Sequence, residues 1–405
     1  MLFSNVIGQQ EVKQHLVEMV MHNRLSHALL FLGKEGSGAL PLALAFANFV
    51  CLNPTDKKAP EPSASLFGEA LPANTPTTIT NAQDADAWML QQPGYSKTSQ
   101  MVHPDVHYAY PVITKKTGDK PISTHFVAEW REFVKQFAYG NSFDWLQFIG
   151  ADNKQGNITA AECNDIIRKL SLKSFESPNK ILVLWMPEYL EKEGNKLLKI
   201  IEEPPANTLF ILVAESESQI LPTILSRCQL VKIPALENNA IATALQQRAN
   251  LSPAQAQQIA GIAEGNYREA LQLIQHAEED WQNLLREWLN ALLKTGPAAQ
   301  VKWIEEIAKQ GREKQKQFLR YFNHLLQQSI RLRVMNTQLQ MLDNERDFAQ
   351  RLNKLATIEQ QQAIIEELDK AAYYIERNAN AKMLFHALSI KLYHIIANKA
   401  LILIN

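Results

Sequence analysis

The sequence has little cysteine and no strong excess of charge of either sign. Its 405 residues include only three cysteines, Cys51, Cys163 and Cys228, and 41 Lys and Arg balance 42 Asp and Glu. Three distant cysteines build neither a disulfide framework nor a four-cysteine zinc site. Apolar runs of about 18 residues and a secretory leader are also missing. We therefore expect a globular cytoplasmic protein that is neither exported nor membrane-spanning.

The chain is too long for one domain, because single cores rarely exceed roughly 250 to 300 residues. Charge also divides it: residues 281–405 carry 18 Lys and Arg against 12 Asp and Glu, while residues 1–280 carry 23 against 30. Residues 281–405 contain few glycines and prolines and show long helical patterns. We predict an α/β domain over 1–234, a small helical domain over 235–278 and an all-α domain over 279–405.

Short apolar runs in the first domain are typical of buried parallel strands. They are HALLFL at 27–32, KILVLWM at 180–186, TLFILVA at 208–214 and QLVKI at 229–233. Helical patterns separate them, so the fold class is α/β plus all-α, with a P-loop-type parallel sheet. Ligands of such sheets bind beyond the carboxyl ends of the strands.

Two segments lie outside this alternation. A stretch at about 52–102 is rich in Pro, Ser, Thr, Asn and Ala, and we predict a disordered surface insertion. Farther on, Phe126, Trp130, Phe133 and Phe137 follow helical spacing. This stripe favours core packing, with nucleic-acid stacking as the alternative.

A glycine-rich loop follows the first strand and precedes a helical run. Gly33, Gly36 and Gly38 fit the spacing of the phosphate-binding motif GxxxxGK[ST], but Ala39 and Leu40 stand where that motif has its lysine and hydroxyl residue. The lysine of the motif reaches the β- and γ-phosphates, and the hydroxyl binds magnesium. The loop therefore lacks both groups, so we predict no ATP hydrolysis. The glycines alone favour a tight turn, with residual nucleotide binding as the alternative.

A second site has lost the same chemistry. P-loop ATPases place a magnesium-binding aspartate at the end of the strand that corresponds to KILVLWM. Here Trp185, Met186 and Pro187 follow in that place, and Glu188 comes one residue later. The absence of these groups at two independent places predicts a chain without ATPase activity more strongly than absence at one.

Four segments together resemble the clamp-loader branch of the AAA+ proteins. They are the opening FSNVIGQQEVKQHLVEMVMHNRLSHALLFLGKEGSG, HPDVHYAYPV at 103–112, NKLLKIIEEPPANTLFILVA at 195–214 and ILPTILSRCQLVKIPAL at 220–236. The last contains the serine-arginine-cysteine motif, here Ser226, Arg227 and Cys228. The resemblance implies an AAA+ domain, a helical lid and a helical collar.

The family also implies roles for single residues. Arg227 matches the arginine that acts in trans on ATP bound by a neighbouring subunit. The alternative is an arginine that only pairs with a surface carboxylate. Cys228 is expected to be a packing residue. Arg268 matches the sensor-2 arginine, but without a motif lysine we favour a solvent-exposed or interface arginine. Cys51 matches the first ligand of a zinc module whose other cysteines are missing here, so we expect no metal.

The implied partners are gamma/tau-type ATPase subunits, a delta subunit, the sliding clamp and, through the complex, primed DNA. Under this hypothesis the chain carries no cofactor of its own. The alternatives are an ATP-binding and hydrolysing subunit of gamma/tau type, with Lys34, Glu188 and Arg268 forming an unusual site, and a direct DNA-binding protein. The net charge of +6 over 281–405 is scattered, so we expect weak DNA binding by the chain alone.

Overall fold

The computed structural model describes residues 1–53, 79–116, 118–151, 154–275, 281–335, 343–376 and 379–398. Contacts divide the chain into two compact units, Met1–Leu273 and Ile274–Asn405. The boundaries predicted at 234 and 278 stay predictions. Within the described ranges, no helix is both long and apolar enough to cross a bilayer.

A five-stranded parallel sheet forms the centre of the first unit, in the order β2-β3-β4-β1-β5. Its strands are β1 (Ala28–Gly33), β2 (Val106–Ala109), β3 (Lys180–Trp185), β4 (Thr208–Ala214) and β5 (Gln229–Ile233). Leu30 of β1 is opposite Leu212 of β4 on one side and Leu230 of β5 on the other. The α/β prediction and its four strands are confirmed, and β2 lies within the HPDVHYAYPV segment.

Helices pack on both faces of the sheet, as expected for strands whose side chains are buried on both sides. β3 and β4 are buried at every residue. The α-helices of this unit are α1 (Gln10–Met21), α2 (Ala39–Leu52), α3 (Ala82–Leu90), α4 (Tyr95–Ser99), α5 (Val127–Gln136), α6 (Ser142–Phe148), α7 (Ala160–Ser171), α8 (Leu198–Glu202), α9 (Pro222–Leu225), α10 (Asn238–Ala249), α11 (Pro253–Ala263) and α12 (Tyr267–Gln275), whose last residues pass the unit boundary. Short 3₁₀ segments cover Phe3–Asn5, Ser123–Phe126, Pro187–Leu197 and Glu217–Gln219.

The aromatic stripe packs in the core, which confirms the packing prediction for three of its four members. Phe126, Trp130 and Phe133 are at most 3% exposed, whereas Phe137 is 41% exposed. Trp130 stacks on Tyr110 with ring centroids 4.1 Å apart. These rings join one hydrophobic cluster with α2 and one face of the sheet.

The predicted disordered insertion is wrong for its second half. Residues 79–102 contain α3 and α4, while 54–78 lie outside the described residues. Asn81 caps α3 by accepting hydrogen bonds from the backbone N–H groups of Gln83 and Asp84. Asp86 of α3 is buried and accepts the N–H groups of Phe3 and Ser4, at 2.8 and 2.7 Å. Tertiary contacts with the N-terminal segment thus order a segment whose composition indicates a loop.

The second unit is helical, which confirms the all-α part of the predicted fold class. Its helices are α13 (Trp281–Asn290), α14 (Pro297–Lys309), α15 (Arg312–Met335), α16 (Asp343–Leu355), α17 (Ile358–Glu376) and α18 (Ala381–Ala397), with a π-helical turn at Ala291–Thr295. Trp288 and Trp303 stack in its core at 4.8 Å, and the Trp288 indole N–H donates to Ser389. This core is distinct from the two that flank the sheet.

Candidate functional site

The glycine-rich loop connects β1 to α2 at the carboxyl edge of the sheet. β1 ends at Gly33, and α2 begins at Ala39 after Gly38, whose φ of 89° lies in the left-handed region. A Cβ on Gly33 would lie 2.5 Å from the Ser37 hydroxyl oxygen and 2.8 Å from the Ile233 Cβ, so a larger residue would force these neighbours to shift. The predicted order of strand, phosphate loop and helix is therefore present.

Little free space remains inside this loop. Tyr139, Trp185 and Met186 line, with the loop glycines, a cavity of about 20 Å³. A cavity of this kind needs about 10 to 15 Å³ to hold one water molecule. Ala39 and Leu40 are 8% and 4% exposed, and neither side chain offers a polar group to a phosphate. The space within the loop matches a water molecule rather than a triphosphate.

Residues at the start of α12 close over the loop. A Cβ on Gly36 would lie 1.8 Å from the Asn266 side-chain oxygen, and the Tyr267 N–H donates to the Gly36 carbonyl at 3.2 Å. The Tyr267 ring packs edge-on against Tyr139 at 4.9 Å. Tyr139 in turn accepts the Ile7 N–H at its hydroxyl oxygen, at 2.7 Å. The closed loop is thus fastened to two distant parts of the same unit.

Arg268 is buried and bound by two carboxylates. It is 3% exposed, so the interpretation as a solvent-exposed arginine is wrong, while the alternative of an interface arginine stays a prediction. Nε and Nη2 each donate to a different oxygen of Asp144 at 2.5 Å, and Nη1 donates to Glu35 at 3.0 Å. Glu35 belongs to the phosphate loop itself. A carboxylate of the loop therefore supplies part of the counter-charge of this arginine.

Glu188 binds backbone at the end of the neighbouring strand β4. One carboxylate oxygen, Oε1, accepts the N–H groups of Glu215 and Ser216 at 2.6 and 2.9 Å. The other, Oε2, is buried and has no hydrogen-bond partner within the described part of the chain. Burial raises the pKa of this carboxyl above its usual value. These contacts indicate a role in joining two strand ends.

The three residues of the alternative ATPase site have separate surroundings. Lys34 is exposed, Glu188 binds the end of β4, and Arg268 binds Glu35 and Asp144. Glu188 and Arg268 thus bind different parts of the unit, and Lys34 extends to solvent. The contacts of these three residues therefore do not support the hypothesis that they form one ATPase site.

Arg227 lies in the turn between α9 and β5, with its side chain 30% exposed. Its Nε donates to Glu202 Oε1 at 2.6 Å, and Nη2 donates to the same oxygen. Its Nη1 donates to the Thr223 carbonyl at 2.6 Å and to the Ser226 hydroxyl at 3.2 Å. The guanidinium thus reaches solvent but pairs with a carboxylate of its own chain.

The flanking motif residues support this turn. Ser226 donates its hydroxyl to the Thr223 carbonyl at 3.2 Å and accepts from Arg227. Cys228 is half-buried against the second face of the sheet, and burial raises the pKa of its thiol to about 11. A thiol that stays protonated at neutral pH fits the packing role that we predict for it.

The zinc prediction concerns Cys51, which is buried at the end of α2. Its sulfur lies 3.5 Å from His103 Nδ1, and burial raises the pKa of the thiol to about 12. The described residues contain no group of three or more His, Cys, Asp or Glu side chains arranged to hold a metal ion. Absence of zinc stays a prediction.

Sequence reasoning missed Glu35, Asp144 and Glu202 as partners of the two arginines. Glu35 lies in the glycine-rich loop, but the phosphate-loop motif specifies no carboxylate at that position. Asp144 and Glu202 are 124 and 25 residues from the arginines that they bind. No local pattern signals such pairs.

The chain is similar to clamp-loader subunits of DNA polymerase III. Residues 96–237 match the model of a family described as DNA polymerase III, delta subunit. The delta' subunit of Bacillus subtilis is 25% identical over 272 residues, which cover 67% of this chain and 60% of that relative. The delta' subunit of Haemophilus influenzae is 34% identical over 105 residues, covering 22% and 32%.

The tau subunit of Bacillus subtilis is 25% identical over 336 residues, which cover 80% of this chain and 46% of tau. The chain thus spans less than two thirds of the length of each of these relatives. The matches confirm the resemblance to the DNA polymerase III clamp-loader family that the motifs indicate. They include subunits of both the delta' and the tau type.

Proposed function

We propose that this chain is a clamp-loader subunit of delta' type that binds no ATP of its own and supplies Arg227 to ATP on a neighbouring subunit. The observation that carries the first part is the closed phosphate loop. Its cavity of about 20 Å³ is too small to enclose a triphosphate. A nucleotide would have to displace Asn266 and Tyr267 from the loop before its phosphates reached the N–H groups of α2.

Charge also opposes a nucleotide in this loop. Arg268 binds Glu35 and Asp144, so the group carries two negative charges against one positive charge. An incoming phosphate meets the Glu35 carboxylate without the motif lysine that normally neutralises phosphate charge. Binding would therefore require repulsion by Glu35 to be overcome and the buried ion pairs to be broken. Both costs favour a subunit that keeps the phosphate-loop fold without its ligand.

The second part of the proposal concerns Arg227. A guanidinium offers several N–H donors in a planar fork and keeps its charge at any physiological pH, which suits it to a γ-phosphate. Arg227 lies on an exposed turn, and its carboxylate partner is itself 47% exposed. An exposed ion pair of this kind contributes only about 0.2 to 1 kcal/mol. A phosphate with more negative charge is therefore able to replace Glu202.

Partners and location follow from the relatives. Because a tau subunit of DNA polymerase III is among them, we place an ATP-binding subunit of gamma/tau type beside Arg227. We further place a delta subunit, the sliding clamp and primed DNA in the same assembly, which works in the cytoplasm. No cofactor or zinc belongs to this chain in the proposal.

The test is reconstitution with gamma/tau-type and delta subunits, followed by DNA-dependent ATPase and clamp-loading assays. Arg227→Ala is expected to lower the ATPase rate at the adjacent site at least about tenfold, since arginine fingers contribute large factors. Arg227→Lys should restore little, because lysine lacks the fork. Arg24→Ala changes an exposed arginine of the same unit and serves as the control. Unchanged ATPase and loading with Arg227→Ala would refute the proposal.

A second candidate is an ATP-hydrolysing subunit of tau type. The observation in its favour is the match to tau over 80% of this chain. It requires the loop to open, so it predicts micromolar Mg-ATP binding and turnover by the isolated chain. Calorimetry and phosphate release on one sample separate the two functions.

A further inference from the structure

Glu202 and Arg227 form an ion pair that joins two loops beyond the sheet. Glu202 is the last residue of α8, and Arg227 follows α9. A negative charge at a helix carboxyl end is unfavourable, because the free carbonyl groups there are themselves partly negative. Helix stability therefore does not explain a glutamate at this position. The contact to Arg227 gives it another role.

The geometry of the pair would allow another anion to replace Glu202 at the guanidinium of Arg227. Nε and Nη2 both donate to Oε1 of Glu202. A parallel fork in which each carboxylate oxygen accepts one N–H is the stronger arrangement. Here two N–H groups share a single oxygen, and both side chains are partly exposed, at 30% and 47%. A ligand with several anionic oxygens would bind the same N–H groups better.

The other hydrogen-bond acceptors of the guanidinium are neutral groups. Nη1 donates to the Thr223 carbonyl and the Ser226 hydroxyl, at 2.6 and 3.2 Å. These bonds occupy both of its hydrogens, while Nε and one Nη2 hydrogen serve Glu202. Within the described residues, the second hydrogen of Nη2 has no protein acceptor. One donor is thus available to an incoming anion before Glu202 is displaced.

We propose that Glu202 is a positioning residue that holds Arg227 on this chain and competes with the neighbour's phosphate for its guanidinium. This inference rests on the proposed function. Because the exchange takes place when phosphate binds, Glu202 affects how readily the neighbour's site fills. It does not affect the rate once the site is filled, because Arg227 has then left the carboxylate.

The chain offers a matched control. Glu202→Gln removes the charge with little change in size. Glu203→Gln makes the same change at the next residue, which is exposed and whose side chain forms no hydrogen bond or ion pair within the described part of the chain. Steady-state ATPase of the reconstituted complex is measured against ATP concentration for both variants and for Arg227→Ala. Exposed pairs of this strength correspond to factors of about 1.5 to 5.

We expect Glu202→Gln to lower KM for ATP by about 1.5- to 5-fold at unchanged kcat, with Glu203→Gln like the wild type. A fall in kcat would overturn the inference, because Glu202 would then be needed in the reacting state. Unchanged KM and kcat would overturn it as well. If Arg227→Ala has no effect, the proposed function itself fails, which distinguishes this case from failure of the Glu202 inference alone.

A second measurement needs no partner. In the isolated chain, selective ¹⁵N labelling of arginine reports exchange of the Arg227 Nε hydrogen with solvent. Glu202→Gln is expected to accelerate that exchange, and Glu203→Gln is expected to leave it unchanged. Equal exchange in wild type and Glu202→Gln would show that the carboxylate does not hold the guanidinium, and the inference would be wrong.

Discussion

Replacing Arg268 by alanine should destabilise the first unit strongly, even though no ligand is bound. The side chain is 3% exposed and binds Asp144 through two hydrogen bonds and Glu35 through one. Its removal leaves two carboxylates without their counter-charge. Breaking a buried ion pair by removal of one partner costs about 3 to 5 kcal/mol.

The lower end of that range applies here. Glu35 and Asp144 are 17% and 22% exposed, so water screens part of the charge that Arg268→Ala uncovers. About 3 kcal/mol in a unit of this size corresponds to a fall in Tm of about 6 to 12 °C. Differential scanning calorimetry measures this shift in the full chain. Arg24→Ala is the control, since changes of exposed residues stay within about 0.5 kcal/mol.

A double variant isolates the electrostatic part. Glu35→Gln keeps the shape of the side chain and removes one of the two uncovered charges. Added to Arg268→Ala, it should recover part of the lost stability, whereas in the wild-type background it should destabilise. A Tm of Arg268→Ala equal to that of the control would refute the reasoning, because the arginine would then not be part of a buried network.

Three further predictions concern backbone strain, loop closure and pH. Gly36→Ala should lower the free energy of unfolding by more than about 1 kcal/mol, because its Cβ would meet the Asn266 side chain and its φ is +71°. Urea unfolding measures this loss of stability. An unchanged urea midpoint would mean that the loop is open. Glu191 has φ 43° and ψ −132°, and such strain costs about 1 to 3 kcal/mol, so Glu191→Gly should raise the urea midpoint rather than lower it. Burial lowers the pKa of His324 to about 4 from 6.5, so the unfolded chain binds the proton first, and the second unit should lose up to about 3 kcal/mol as pH falls from about 6.5 to 4. His324→Gln should remove that part of the pH dependence, and a variant with the same pH profile as the wild type would contradict this assignment.

The strands could be predicted because each is a short run of apolar residues, as is typical of strands buried in a parallel sheet. Every residue of β3 and β4 is buried, so composition alone marks them. The helices at 82–90 and 95–99 could not be predicted, because this segment is folded by tertiary contacts such as that of Asp86 with the N-terminal backbone. Local composition carries no information about a partner that lies more than 80 residues away.

The candidate site shows the same limit. The missing motif lysine at Ala39 and the arginine at 227 follow directly from motif spacing. The environment of Arg268 does not, because Glu35 and Asp144 lie 233 and 124 residues away. A sequence motif indicates which residue a family uses, but the charge that the residue faces is a property of the folded chain.

Equilibrium binding of Mg-ATP to the purified chain, followed by calorimetry, tests most directly whether the phosphate loop has lost its ligand. The closed cavity, the buried Ala39 and the carboxylate partners of Arg268 predict no binding heat at millimolar nucleotide and no phosphate release in the same sample. Micromolar affinity with turnover would contradict the account, because the loop would then open to a triphosphate despite Asn266, Tyr267 and Glu35.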